Sequence, residues 1–225
     1  MKKIVSVTLL SLCVSMGLFA QTILTAGAYF QQISEYYATL KEYEAEIDIT
    51  AEKTNMSGHV SFKKPNYLRI DFTNPENQVI SYNGDTVTIY LPGPDAILEQ
   101  SLTEADSSTS GANLATPQGL YLLSRYYYIS YETGQEAVPL EEGSDENVVV
   151  FVLGRKNATE SFKSIRISVS AQSKLIRRVE ATTATGESFT FNFYNYALNT
   201  NIPDARFIYQ PPSSANSYNN FLFSE

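Results

Sequence analysis

Tyr43-Glu44-Ala45-Glu46-Ile47-Asp48-Ile49-Thr50-Ala51-Glu52 decides the fold class. Its odd positions are apolar and its even positions polar, the period of a strand with one dry face and one wet face. The same alternation recurs at Val60 and Phe62, at Leu68, Ile70 and Phe72, at Val79 to Tyr82, and at Val87, Ile89 and Leu91. Asn83-Gly84-Asp85 supplies a hairpin turn between the last two. It resumes over residues 148–153, 165–171, 175–181 and 189–196, the last carrying Phe191 and Phe193. Together these segments predict an antiparallel meander with one apolar face.

Upstream of the decapeptide the period changes to that of a helix. Phe30, Ile33, Tyr37 and Leu40 predict an amphipathic helix over residues 25–41 with Thr25 as its N-cap. A second helix is expected to open at Thr116 and Pro117, which suit an N-cap and a first helical position, and to run to about Tyr128. Leu120, Leu123 and Tyr127 share one stripe of it, and Tyr121, Leu122, Tyr126 and Tyr128 make it apolar or aromatic nearly all round, which asks for burial on more than one side. Residues 103–116, rich in Ser, Thr, Ala and Gly, and the acidic residues 132–146 read as loops. The Ser-, Asn- and Phe-containing tail after Pro212 fits either a short extra strand or a frayed end.

Residues 1–20 have the pattern of a signal peptide: Lys2 and Lys3, an apolar core from Ile4 to Phe19, and Ala20 before Gln21. That core is too short for the roughly 20 residues a membrane-spanning helix needs. Export to the periplasm is expected, leaving residues 21–225 as one domain. Cys13, the one cysteine, falls inside the leader, after Ser11 and Leu12 rather than the small residues that precede a lipidated cysteine. The mature chain therefore has no disulfide, thiol nucleophile or thiolate metal site, and its stability rests on burial. Removing Lys2 and Lys3 leaves 14 basic residues against 24 acidic ones, a charge of −10. Phosphate binding wants a basic surface, so nucleic acid is not an expected ligand.

Material for catalysis is thin. His59 is the one histidine, and no G-x-S-x-G, H-E-x-x-H or phosphate-cradling glycine loop occurs. Arg69 and Asp71, two apart on one strand, read as an exposed ion pair. No enzyme, metal site or cofactor is expected. A long sheet with one apolar face must cover it with a second sheet, by closure or with helices. Two helices cover it incompletely, and if the sheet curls around them the remainder is a hydrophobic cavity. Core and pocket side chains look alike in sequence, so a filled core and a cavity for acyl chains both fit.

The run Gly58-His59-Val60-Ser61-Phe62-Lys63-Lys64-Pro65-Asn66-Tyr67-Leu68-Arg69-Ile70-Asp71-Phe72 leads to Pro75, Gln78-Val79-Ile80, Asn83-Gly84-Asp85 and Val87-Thr88-Ile89-Tyr90. With Thr116-Pro117, Phe191-Asn192-Phe193, Ile202-Pro203-Asp204, Phe207 and Pro211-Pro212, this order resembles the LolA family of periplasmic lipoprotein carriers. The resemblance spans nearly all of the expected mature chain. It implies a mainly β (α+β) fold, a curved antiparallel sheet forming an unclosed β-barrel covered by an N-terminal helix and a central helical lid. It also implies a monomeric carrier without cofactor that takes lipoproteins from an inner-membrane releasing complex to an outer-membrane acceptor. On this reading Ile47, Ile49, Leu68, Ile70, Phe72, Ile89, Leu120, Leu123, Tyr127, Phe191 and Phe193 form the lipid cavity and lid. The basic position before the proline, often Arg in the family, is implied to hold the lid and engage the releasing complex; here it is Lys64, which keeps the charge and loses the two-pronged grip. The alternative is a LolA-like lipid-binding or envelope-stress sensor module that transports nothing.

Overall fold

The computed structural model of the chain describes residues 23–101 and 117–219; the expected leader, Cys13 and Thr116 lie outside them. The deciding decapeptide falls in strand β1 (Glu42–Ala51), whose Tyr43, Ala45, Ile47 and Ile49 are at most 6% exposed. β1 pairs antiparallel with β2 (Thr54–Lys63) on one side and β12 (Ser188–Leu198) on the other. Beyond β2 the sheet continues through β3 (Tyr67–Asn74), β4 (Glu76–Tyr82), β5 (Thr86–Leu91) and β6 (Ala96–Ser101). Beyond β12 it continues through β11 (Ile176–Thr183), β10 (Phe162–Ser170), β9 (Asn147–Arg155) and β7 (Tyr127–Tyr131), with the two-residue β8 (Val138–Pro139) also on β9. β13 (Asn216–Asn219) joins β6 in parallel and ends the sheet opposite β7. The two ends are not paired, so the barrel is unclosed, as the resemblance implies.

Curvature comes from register shifts, since an extra residue on one strand bends it and increases its twist. They occur between β1 and β12, β2 and β3, β3 and β4, and twice between β10 and β11. At the first, Asn195 adopts a φ of 51° and Tyr196 packs against Tyr43, ring centroids 5.6 Å apart.

Helix α1 (Ala26–Thr39) begins where its sequence places the cap: the Thr25 hydroxyl accepts from the Ala28 N–H at 3.2 Å. Phe30, Ile33 and Tyr37 are fully buried, and Phe30 meets Phe151 of β9 edge-on at 5.5 Å. The pairing of β11 with β12 begins only at Arg178, so Ile176 needs other partners. The Tyr37 hydroxyl accepts from its N–H at 2.8 Å and the Tyr196 hydroxyl donates to its carbonyl at 2.8 Å. Burial pushes the Tyr37 hydroxyl up to about 12, so it stays neutral and hydrogen-bonding.

Helix α2 (Pro117–Tyr126) is shorter than its pattern suggests. Tyr127, Ile129 and Tyr131 turn inward while Tyr128 and Ser130 are exposed, so the aromatic run starts β7 rather than prolonging the helix. Nor is the helix buried on several sides, because Tyr121 is 65% exposed. The acidic segment 132–146 is tied down: Glu132 pairs with Arg166 at 2.7 Å, Glu141 with Arg178, and β8 lies within it. β6 had no counterpart among the strands read from the alternation.

The expected exposed pair of Arg69 and Asp71 is instead the anchor of a strap. After Ile202 the chain crosses the convex face, making one 3-10 turn at Asp204–Phe207 before it reaches β13. Lys63 donates to Asp204 at 2.6 Å, Arg69 donates to Asp71 and to the Arg206 carbonyl at 2.9 Å, and Arg206 closes on Asp71. The Ser81 hydroxyl donates to the Phe207 carbonyl at 2.8 Å, and a small second core of Val79, Tyr90 and Ile97 receives Tyr209. Burial opposes ionisation of Asp71, but the guanidinium groups of Arg69 and Arg206 overcome it and hold the carboxyl below its ordinary value of 3.8. The stabilisation from a lowered carboxyl is complete above that ordinary value and is lost as pH falls through the lower native one. Urea unfolding between pH 5 and about 2 should therefore show a shallower acid loss in Asp71→Asn than in the wild type. Parallel acid limbs would remove Asp71 as the strap's anchor.

Candidate functional site

The concave face holds one continuous apolar cluster, and its two sides are covered differently. Toward β7, α1 and α2 lie against each other and over the sheet. There Leu120, Leu123 and Tyr127 are at most 6% exposed, packed in the same cluster as Ile47, Ile49, Phe193 and the β9–β11 residues Phe151, Ile167 and Val179. Leu68, Ile70 and Phe72 of β3 belong to that cluster too, and Phe191 packs against it half-buried.

Toward β6 the face is more open. Cross-strand register puts Ile80 of β4, Ile89 of β5 and Leu98 of β6 side by side, with Val87 next along β5. All four are half-buried, whereas Ile70, the β3 partner of Ile80, is 7% exposed. Thus Ile89 stands apart from the other expected cavity residues, in a row of aliphatic side chains that retains contact with solvent. Ile80 and Leu98 were not singled out from the sequence. The signal that finds them is register: once Ile89 faces inward, its neighbours on β4 and β6 face inward with it.

Two lysines grip the covering helices at their C-termini, where the last-turn carbonyls lack partners within the helix. Lys64, at the end of β2, donates to the Ala38 carbonyl in the last turn of α1. Lys156, just after β9, donates to the carbonyls of Ser124 at 3.2 Å and Arg125 at 3.0 Å in the last turn of α2. The residue singled out by resemblance thus holds α1 rather than the central helix, and an unflagged lysine holds the latter. Tyr127 keeps its ring in the core while its hydroxyl, pushed up by burial, donates to the Phe162 carbonyl at 3.3 Å.

His59 is exposed on the convex face, opposite Glu46 and Asp71 in the neighbouring strands. Among the described residues, no group of three His, Cys, Asp or Glu side chains is placed to hold a metal ion. The concave face offers apolar burial: aliphatic and aromatic walls, a helical cover gripped at its C-termini, and an open flank.

The family model described as "Outer membrane lipoprotein carrier protein LolA" matches residues 48–210. The chain belongs to the LolA family. That match runs from β1 to the strap, so both flanks of the LolA-type concave face lie within it. An outer-membrane lipoprotein carrier protein from Methylibium petroleiphilum is 24% identical over 166 residues, 73% of each chain. An uncharacterised conserved protein from Thermus thermophilus superposes with a TM-score of 0.54 at 12% identity, over 85% of this chain and 97% of that one. A chain of the Pseudomonas aeruginosa MucA/MucB complex gives 0.51 at 10% identity, over 82% of this chain and 61% of that one. At such identities the structures testify to the fold alone.

Proposed function

We propose that the protein is a periplasmic carrier that buries the acyl chains of lipoproteins against the concave face of its sheet and transfers them from the inner to the outer membrane. The observation that carries this reading is the half-open aliphatic row of Ile80, Val87, Ile89 and Leu98 in a chain of the LolA family. Each methylene moved from water into such a surface contributes about 0.8 kcal/mol, so acyl chains bind without any directed polar contact. The relative from Methylibium petroleiphilum, named as a lipoprotein carrier, supports the same cargo, and the signal-peptide pattern of residues 1–20 supports the location. An inner-membrane releasing complex supplies the cargo and an outer-membrane acceptor receives it. The carrier acts as a monomer, without catalysis, cofactor or energy source in its pocket. Transfer runs down an affinity gradient in which each tenfold step is about 1.4 kcal/mol.

Native mass spectrometry of the mature protein, purified gently from its host envelope, tests the reading. Acylated polypeptides bound one to one support it, whereas lipid alone favours the lipid-binding or sensor module. A variant sharpens the test: Leu120 is fully buried on α2, so Leu120→Asp should undock that helix and lower capture of a diacylated lipopeptide by at least about tenfold. The β-sheet circular dichroism should persist, because the strands pair without α2. Full capture by Leu120→Asp would remove α2 from the cover of the site.

A further inference from the structure

β7 is an end strand, paired with β9 on one side only. The phase of that pairing is fixed at both ends: the Lys156 N–H donates to the Tyr126 carbonyl and the Glu132 N–H to the Val150 carbonyl, each at 3.0 Å. Bonded residues alternate along an antiparallel ladder, so Tyr128 and Ser130 bond β9 while Ile129 and Tyr131 aim their N–H and C=O groups away from it. Among the described residues those groups meet no partner. The strand also lacks what usually blunts an edge, since Tyr-Tyr-Ile-Ser-Tyr contains neither proline nor charge.

Open space and positive charge adjoin this edge. A cleft of about 630 Å³ is lined by Tyr127, Tyr128 and Ile129 on the sheet side and by Gly27, Gln31 and Ser34 of α1 on the other. Cations gather at its Tyr127 end. Arg125 and Lys156 are exposed, each 5.5 Å from the centre of a tyrosine ring, Tyr126 and Tyr128 respectively, and Arg155 stands opposite Tyr127 on β9. None of the three forms an ion pair among the described residues. Two carboxylates stand near them, Glu35 on the α1 wall and Glu160 in the turn after β9. A local excess of positive charge remains, in a chain whose net charge is −8.

We propose that the free edge of β7 docks an extended acidic segment of a partner polypeptide, which adds to the sheet as a further antiparallel strand. Donors and acceptors recurring every second residue, roughly 6.8 Å apart, are matched by another extended main chain. Antiparallel addition is the more stable arrangement. β7 runs from Tyr127 to Tyr131, so the C-terminal end of the added strand lies beside Arg125, Arg155 and Lys156, where its carboxylates meet the cations. The main chain thus supplies affinity and the charges supply direction. This edge is independent of the aliphatic row, because β7 and β6 lie on opposite flanks of the sheet.

Amide hydrogen exchange and peptide titration of the full mature protein test this, with an acetylated and amidated Thr-Val-Thr-Val-Glu-Glu peptide as probe. In the free protein the Ile129 and Tyr131 amides should exchange quickly, and at saturating peptide both should slow by at least about tenfold. The fully N-methylated peptide, which has no main-chain donors, should bind at least about tenfold more weakly. A Gln-Gln ending in place of Glu-Glu should cost about fivefold, a ratio that Arg125→Gln narrows. Exchange at Ile129 and Tyr131 that the peptide leaves unchanged, or equal binding of the methylated form, would overturn the edge assignment. Equal binding of the Gln-Gln form would overturn the acidic partner. Vesicles of phosphatidylglycerol slowing the same two amides would overturn it in favour of a membrane-facing patch.

Discussion

Gly58→Ala should lower the melting temperature by roughly 6–12 °C, the shift that follows from about 3 kcal/mol in a chain of this size. A methyl group built at Gly58 would stand 2.5 Å from the Asp71 carbonyl oxygen and 2.9 Å from the Phe72 Cα. Both atoms are backbone of β3, paired with β2 where the register shifts, so no side chain can swing aside. Gly58 also pairs with Ile47 of β1, in the central strands of the sheet. Relief requires prising β2 from β3, and overpacking of that kind costs up to about 3 kcal/mol or more. Gly154→Ala is the matched control, because its new methyl meets no atom within 4 Å and removes a strand glycine. Thermal unfolding of the two variants decides the matter. Equal melting temperatures would mean that β2 and β3 are not held as closely as the register indicates.

Ile89→Lys should separate binding from stability. Ile89 is half-buried, and losing part of an isoleucine's burial costs on the order of 1 kcal/mol. An acyl chain on the same row would have to strip water from an ammonium group with no partner, so binding of a diacylated lipopeptide should fall by more than about tenfold. Ile47→Lys provides the contrast: Ile47 is 2% exposed in the closed part of the cluster, and a charge there should unfold the protein. Urea unfolding and lipopeptide binding, measured on both variants, give the comparison. Undiminished binding by Ile89→Lys would place the cargo elsewhere, and a stability loss like that of Ile47→Lys would make the row plain core.

The period of two in residues 43–52 was enough to show which side chains β1 buries, because alternation is a property of one strand alone. Thr25 and Asn83 were legible for the same reason: the Asn83 side chain accepts from Asp85 and Thr86, a contact made within the turn itself. What depends on distant partners was not. Arg69 and Asp71 announce a pair, but Arg206 is 135 positions from Asp71, and nothing local to either reports the strap that buries them. Tyr127 was ambiguous because it is four residues beyond Leu123, the spacing of a helical stripe, and equally the first inward residue of an alternating Tyr-Tyr-Ile-Ser-Tyr run. The candidate site was half legible. Leu68, Ile70 and Phe72 declare an inward face, yet whether that face is closed or open depends on where the helices come to rest. Ile89 and Ile70 look alike in sequence and differ only in that. Lys64 was marked by resemblance; Lys156 does for α2 what Lys64 does for α1 and carries no mark at all.

The unpaired ends of the sheet matter for what it can enclose. In a closed barrel, strand number and stagger fix the girth, and a larger guest cannot enter without breaking a ladder of hydrogen bonds. Here β13 and β7 share no ladder, so the rims can part like the covers of a book while every strand keeps its neighbours. Moving the rims apart breaks no hydrogen-bond ladder between them. On the proposed carrier reading, guests of unequal bulk can therefore be held without breaking any strand register.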